Sequence, residues 1–112
     1  MKRGYVSERV RTLYHNKFEN RIAFRVSGSI GAMDLIVVEY VPLFGMYKVW
    51  LEQVKSVKGE YFYFDKRAID EWNRLKKIPI PSYFVINFRF GNRYHWKSLK
   101  VRGRCPKSIK WV

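Results

Sequence analysis

Apolar residues recur at helical spacing in two segments of the chain. In residues 5–18 they fall at i, i+4, i+7, i+8 and i+12, which predicts an amphipathic helix. In the second segment, Asp65 suits the N-cap of a helix and Pro79 ends it. The residues between them that share one helical face are Ala68, Ile69, Trp72 and Leu75. The sequence therefore predicts two helices, each with one apolar face.

Five other segments predict β-strands, because they are short, rich in β-branched and aromatic residues, and bounded by turn residues. They are residues 22–26, 34–41, 47–57, 83–90 and 94–99. Pro42 and Gly45 separate the second and third strands, and Gly91 begins the turn between the last two. The predicted order is αβββαββ. The predicted fold class is α/β, with a central mixed, mainly antiparallel β-sheet flanked by two helices.

The length of 112 residues fits one domain with a hydrophobic core and leaves little room for a second. Apolar residues make up 47% of the chain, so intrinsic disorder is not expected. We place the domain at residues 1–99 and a basic C-terminal tail at residues 100–112. Because Gly103 and Pro106 interrupt regular structure, we expect this tail to be flexible or to be ordered by a partner.

The charge of the chain indicates its partner. The 23 Lys and Arg residues outnumber the nine Asp and Glu residues, which gives a net charge of +14. Self-repulsion of this size opposes compaction unless a polyanion or salt offsets it. Nucleic acid is therefore the first partner to consider, and an anionic membrane surface is the second.

Composition argues against several other classes of protein. The single Cys105 cannot form an intrachain disulfide, and with only His15 and His95 beside it a structural zinc site lacks ligands. No apolar run approaches the ~20 residues that cross a bilayer, and the N-terminus lacks the apolar stretch of a signal peptide. We therefore expect a soluble, cytoplasmic protein with no membrane partner.

Three polar residues on neighbouring strands form a candidate catalytic group. Asp34 lies at the entry to the predicted second strand, and Gln53 and Lys55 share one face of the third. If these strands pair antiparallel, Asp34 lies beside Gln53 and Lys55. Two oxygen ligands and an ammonium suit Mg²⁺-dependent phosphodiester hydrolysis, because Mg²⁺ takes few protein oxygens and bridges to the phosphate. Strand alternation sends Glu52 to the opposite face unless a bulge re-aims it.

Four short motifs resemble one family in their order and spacing. They are RGYVSER at residues 3–9, FRVSGS at 24–29, MDL at 33–35 and QVK at 53–55. In this arrangement the chain resembles the archaeal Holliday junction resolvases (Hjc), within the PD-(D/E)XK nuclease superfamily, over about residues 2–99. The resemblance implies a restriction-endonuclease-like core, Mg²⁺ as the cofactor with Mn²⁺ able to substitute, and no small-molecule cofactor.

The resemblance also implies catalytic roles for single residues. Asp34 resembles the central metal-binding aspartate and Lys55 the superfamily lysine. Glu8 resembles the first-helix glutamate that completes the metal and water shell. Arg25 and Ser29 resemble the positions around the scissile phosphate and in the active-site loop.

Gln53 departs from the family pattern, which commonly has Glu two residues before the lysine. A Gln carbonyl oxygen can coordinate Mg²⁺, but it contributes no charge and should weaken metal binding. The expected metal ligands are therefore Glu8, Asp34 and Gln53.

Basic residues near these positions are the expected DNA contacts. They are Arg3, Arg9, Arg11, Arg25, Lys58, Lys66 and Arg67, with Ser27 assisting them. Because such residues contact phosphates, affinity should fall with salt with a slope of about −0.9 per phosphate neutralised, and sequence specificity should be low.

Three hypotheses for the function follow. The first, implied by the resemblance, is a Mg²⁺-dependent endonuclease that resolves four-way junctions in branched double-stranded DNA by paired symmetric nicks. It implies a homodimer, because a two-fold symmetric junction needs two cuts and a chain this small carries one site. The second is another nuclease of the superfamily that acts on branched or linear DNA. The third is a non-catalytic nucleic-acid-binding protein in which Gln53 marks a disabled site.

Overall fold

A five-stranded β-sheet forms the centre of the computed structural model, which describes residues 3–26 and 33–112. The elements in chain order are α1 (Arg3–His15), β1 (Arg21–Arg25), β2 (Leu35–Val41), β3 (Met46–Lys58), β4 (Tyr61–Tyr63), α2 (Lys66–Lys76), β5 (Ser82–Phe90), β6 (Arg93–Lys100) and β7 (Ser108–Lys110). The order differs from αβββαββ by the addition of β4 and β7. These strands have three residues each, which is too short to show an alternating pattern.

The strands of the sheet lie in the order β1-β2-β3-β5-β6. β3 and β5 are parallel, and the other neighbours are antiparallel. A parallel pair needs a crossover connection, which the segment containing β4 and α2 supplies. The sheet is therefore mixed and mainly antiparallel, as predicted from the sequence.

The two helices lie on opposite faces of the sheet. α1 packs against β1, β2 and β3, whereas α2 packs against β5. The core on the α2 face is the larger one and includes Trp72 and Phe84. The core on the α1 face includes Leu35 and Val54. Neither helix in the described ranges is long and apolar enough to cross a membrane.

The start of α2 follows the sequence prediction. The carboxylate of Asp65 accepts a hydrogen bond of 2.8 Å from the backbone N–H of Ala68, which satisfies one of the free donors of the first turn. The buried stripe of α2 consists of Ala68, Trp72 and Leu75. This cap and stripe fix which side of α2 faces the sheet.

The C-terminal residues pack onto the domain, which differs from the expectation of a flexible tail. β7 pairs with β4, and Val101 is buried. Trp111 packs against Phe88 in a tilted arrangement and against His95 edge to face, at centroid distances of 5.8 and 5.2 Å. The apolar residues of this segment therefore bury themselves on their own chain, despite the charge around them.

The outer half of the α2 face is apolar, and no helix packs on it in the part of the chain that the structure describes. Cross-strand partners share a face, so Phe24 and Tyr47 lie on the same side as Leu51. Phe24 is 51% exposed and Tyr47 is 68% exposed. We call this surface the uncovered apolar face; it consists of Ile22, Phe24, Val38, Tyr40, Tyr47 and Val49.

Candidate active site

Asp34 is fixed at the junction between β2 and β3. Its backbone N–H donates to the carbonyl of Glu52 at 2.8 Å, and its Oδ2 accepts from the backbone N–H of Val54 at 2.9 Å. Because Leu35 pairs with Glu52, the next position along the register sets Asp34 beside Gln53. The antiparallel pairing assumed in the sequence analysis is present, and it brings Asp34 to Gln53 and Lys55.

Gln53 and Lys55 lie in the row of β3 that faces α2, where both meet Glu71. The Nε2 of Gln53 donates to Glu71 Oε2 at 3.1 Å, and the Nζ of Lys55 lies 2.5 Å from Glu71 Oε1. Gln53 is 5% exposed, and its Oε1 is buried with no hydrogen-bond partner among the described residues. The site therefore contains a buried amide oxygen that is free to accept.

Glu8 reaches the site from α1. Its Oε1 lies 3.6 Å from a guanidinium nitrogen of Arg25. Burial raises the pKa of Glu8, while the charges of Arg25 and Lys55 oppose that rise. Glu8 is thus within electrostatic range of Lys55, although the two residues come from different layers of the fold.

The pKa of Asp34 is raised to about 6. Burial is the main cause; the negative charges of Glu8 and Glu71 add to it, and the hydrogen bond from Val54 and the charge of Lys55 oppose it. Burial and the two neighbouring carboxylates therefore disfavour the ionised form of Asp34.

The chemistry of these groups fits a hard divalent cation. Mg²⁺ binds oxygen, needs only one or two carboxylates and keeps several of its waters. The unpaired Oε1 of Gln53 and the carboxylate of Asp34, which is opposite Gln53 in the strand register, meet this description. No three His, Cys, Asp or Glu side chains in the described ranges are grouped closely enough to hold a metal by themselves. The residues therefore suit Mg²⁺ and do not suit a zinc site built from His and Cys.

The basic residues proposed as DNA contacts differ in whether the structure describes them and in how exposed they are. Arg9, Lys58, Lys66 and Arg67 are exposed. Arg3 begins α1. Ser27 and Ser29 lie outside the described residues.

Arg11 corrects one expectation, because it is buried and does not face solvent as a DNA contact would. Its Nε donates to Glu52 Oε1 at 3.0 Å, and its guanidinium lies over the rings of Tyr14 and Trp96. The interpretation of Arg11 as a phosphate contact therefore does not fit its position.

Glu52 is the centre of a buried ionic network on the α1 face, where strand alternation predicted that it would point. It accepts from Arg11, from His15 Nε2 at 3.0 Å and from Trp50 Nε1 at 2.9 Å. Burial disfavours the charged form, but the hydrogen bonds of His15 and Arg11 and their charges prevail and lower the pKa of Glu52 to about 2. The network anchors α1 to β3, so Glu52 is not a replacement for Gln53 in the site.

Glu71 is the site residue that the sequence analysis missed. On α2, positions 68, 71, 72 and 75 follow the i, i+3, i+4, i+7 pattern of a buried stripe, and three of them are apolar. An acid at the remaining position was the available signal, because a buried carboxylate needs a partner. Its partners are Gln53 and Lys55.

No protein-family model and no curated protein matches the chain. Among solved structures, the chain is similar to Hjc from Archaeoglobus fulgidus, a Holliday junction resolvase from an archaeal hyperthermophile. The TM-score is 0.67 at 18% sequence identity, and the match covers 97% of this chain and 83% of that chain. At this identity the likeness concerns the fold. The resemblance stated from the motifs is confirmed at that level, and the chain has the restriction-endonuclease-like fold of this resolvase.

Proposed function

We propose that the chain is a Mg²⁺-dependent endonuclease that resolves four-way DNA junctions by paired symmetric nicks. The observation that carries the proposal is the meeting of Asp34, Gln53 and Lys55 at one point of a sheet with this fold. The similar structure is that of a Holliday junction resolvase, and the net charge of +14 suits a polyanionic substrate. Mn²⁺ is proposed to substitute for Mg²⁺.

The proposed metal ligands are Asp34, Gln53 and Glu8. A bound Mg²⁺ would stabilise charge on the phosphoryl oxygens and lower the pKa of a bound water. The hydrogen bond from the N–H of Val54, which fixes the carboxylate of Asp34, supports this role. Gln53 offers its unpaired Oε1, which adds an oxygen without adding charge. Glu8 is proposed to hold the attacking water and, when ionised, to accept its proton.

Lys55 and Arg25 are the proposed contacts to the scissile phosphate. The ammonium of Lys55 would stabilise the charge that develops on the phosphoryl oxygens. Arg25, which pairs with Glu8, would hold a phosphate oxygen next to the attacking water. Ser29 and Ser27, which lie outside the described residues, are proposed to assist them.

Binding to the junction is proposed to use exposed basic residues around the site. The exposed residues are Arg9, Arg25, Lys58, Lys66 and Arg67. Arg3, at the start of α1, is proposed to join them. Contacts to phosphates fix position and carry no sequence information, so recognition would depend on the shape of the branched DNA.

The proposed assembly is a homodimer that docks through the uncovered apolar face. This surface carries no charged residue on a chain with a net charge of +14, so it suits a second copy better than it suits DNA. Tyr47 and Val49 lie in the same row of β3 as Gln53 and Lys55. A second copy seated here would therefore lie next to the site and bring two sites onto one junction.

The proposal is tested by incubating the protein with a synthetic mobile four-way junction and, separately, with a linear duplex in Mg²⁺. The expected result is symmetric paired nicks on the junction and little cutting of the duplex. Asp34→Asn and Lys55→Ala should each lower the cleavage rate at least about a hundredfold. Junction binding should stay within a few-fold, because most of the proposed phosphate contacts are made by other basic residues.

Two outcomes would contradict the proposal. Equal cutting of the linear duplex would favour a nuclease without junction specificity. Junction binding with no metal-dependent cleavage would favour a binding protein, for which Gln53 in place of an acid is the supporting observation.

A further inference from the structure

Glu71 belongs to α2, the element that the sequence analysis left out of the site. Its two carboxylate oxygens take different partners: Oε1 faces Lys55, while Oε2 accepts from the amide of Gln53 and lies 3.9 Å from the Nε of Arg67. The side chain of Glu71 is 13% exposed, so these contacts are sheltered from water. Its charge also raises the pKa of Asp34, which places the two carboxylates within electrostatic range of one another.

The Oε1 of Gln53 is an independent observation that points to a ligand. A buried polar atom without a partner is uncommon, because its desolvation is not offset by a hydrogen bond. Gln53 is more than nine-tenths buried, and its Nε2 is already used by Glu71. A cation at Oε1 would satisfy this atom, and it would find Asp34 and Glu71 close by.

We propose that Glu71 joins Asp34 as a direct carboxylate ligand of the divalent metal, with Glu8 reaching the metal through the attacking water, and that Glu71 supplies the charge that β3 lacks at Gln53. The inference rests on the proposed metal-dependent function and adds a ligand to the same site. Two carboxylates and one amide oxygen match the preference of Mg²⁺ better than Asp34 and Gln53 alone, because attraction to the cation grows with each negative charge. Glu71 lies on α2, within the crossover connection between β3 and β5, and this connection brings it into contact with Gln53 of β3.

A purely structural role for Glu71 makes a different prediction. If Glu71 only neutralises Lys55, its removal changes the stability of the protein and the environment of Lys55 but leaves the affinity for metal unchanged. Metal binding by the full chain therefore separates the two roles without measuring cleavage.

The experiment titrates the full chain with Mn²⁺ and follows free Mn²⁺ by electron paramagnetic resonance. Glu71→Gln should weaken Mn²⁺ binding at least about tenfold. Asp70→Asn is the matched control, since it removes one negative charge from an exposed position of the same helix, and it should change affinity less than about twofold. The double variant Gln53→Glu/Glu71→Gln returns a carboxylate to the site and should recover most of the lost affinity. This variant also keeps the test valid if Glu71→Gln alone folds poorly.

The outcomes distinguish this inference from the proposed function. If Glu71→Gln binds Mn²⁺ like the unmodified chain while Asp34→Asn does not bind it, Glu71 is not a ligand and the proposed function stands. If the double variant folds but stays as weak as Glu71→Gln, the inference also fails. If the unmodified chain binds no Mn²⁺, both the proposed function and the inference about Glu71 fail.

Discussion

The carboxylate of Asp34 is held where burial opposes its charge. One hydrogen bond from Val54 and the nearby Lys55 offset part of this effect, but the pKa still rises to about 6. A group whose pKa is raised in the folded state favours folding when it is protonated and opposes folding when it is ionised. At the scale of single residues, the ionised carboxylate of Asp34 therefore opposes folding unless a further positive charge is nearby.

Asp34→Asn is expected to stabilise the metal-free protein. Asn keeps an oxygen for the N–H of Val54 and removes the buried charge. In urea unfolding with a chelator at pH 8, the free energy of unfolding should increase by about 1–3 kcal/mol. The gain should disappear as the pH falls from about 6 to 3.8, where the carboxyl group is protonated in both states. Lower stability of this variant at pH 8 would contradict the account of the site.

At the scale of elements, β3 contributes side chains to the candidate site on one face of the sheet and to an ionic network on the other. Gln53 and Lys55 face α2 and the candidate site, whereas Glu52 faces α1 and its ionic network. The network joins Glu52 to two residues one helical turn apart, Arg11 and His15. It thereby fixes the position of α1, which also carries Glu8.

The anchoring of α1 should depend on the charge of Glu52. Because its pKa is lowered to about 2 in the folded state, its contribution is present above about pH 4.5 and is lost as the pH falls towards 2. Glu52→Gln should lower the free energy of unfolding at pH 7 by about 3–5 kcal/mol, since Arg11 keeps its charge without a partner.

The control for this prediction is Glu60→Gln, which removes one negative charge from an exposed position outside the network. Its expected cost is within about 1 kcal/mol. Thermal or urea unfolding between pH 2 and 7 checks both variants. An equal effect of the two substitutions would argue against the network as the anchor of α1.

The features that could be predicted from sequence are those that depend on local periodicity. Strand alternation, which puts Gln53 and Lys55 on one face of β3 and Glu52 on the other, is a local feature. The helix cap formed by Asp65 is local as well. The position of Glu71 beside Gln53 depends on how α2 docks on the sheet, and the residues next to Glu71 in the sequence do not determine this docking. The C-terminal segment was misjudged for the same reason: its charges are local, but the site where Trp111 packs is formed by β5 and β6.

At the scale of the whole molecule, charge and apolar surface are separated. Exposed basic residues include Arg9, Lys58 and Arg67, while the uncovered apolar face has no charged member. An exposed apolar surface of this kind marks an interaction site in a soluble protein. The proposed dimer leaves the basic residues available for DNA.

Phe24→Glu is expected to shift the proposed dimer towards monomer. Phe24 is 51% exposed on an edge strand, so the substitution should leave the fold intact and place a charge on the interface. Sedimentation velocity should show a species of half the mass, with an unchanged near-UV circular dichroism spectrum. Tyr63→Glu, at a 68% exposed aromatic residue outside this surface, should not change the mass. A monomeric unmodified chain would rule out this interface.

The continuous row along β3 has a consequence for how a branch point is chosen. In the proposed dimer, β3 of each copy would connect its reaction centre to the shared apolar surface. Because this strand is held within a sheet, the distance between the two reaction centres would be fixed. Substrates would be selected by the separation of two phosphates in space and not by base sequence. A branched DNA whose phosphates lie at another distance from each other would bind to the basic surface and dissociate without being cleaved.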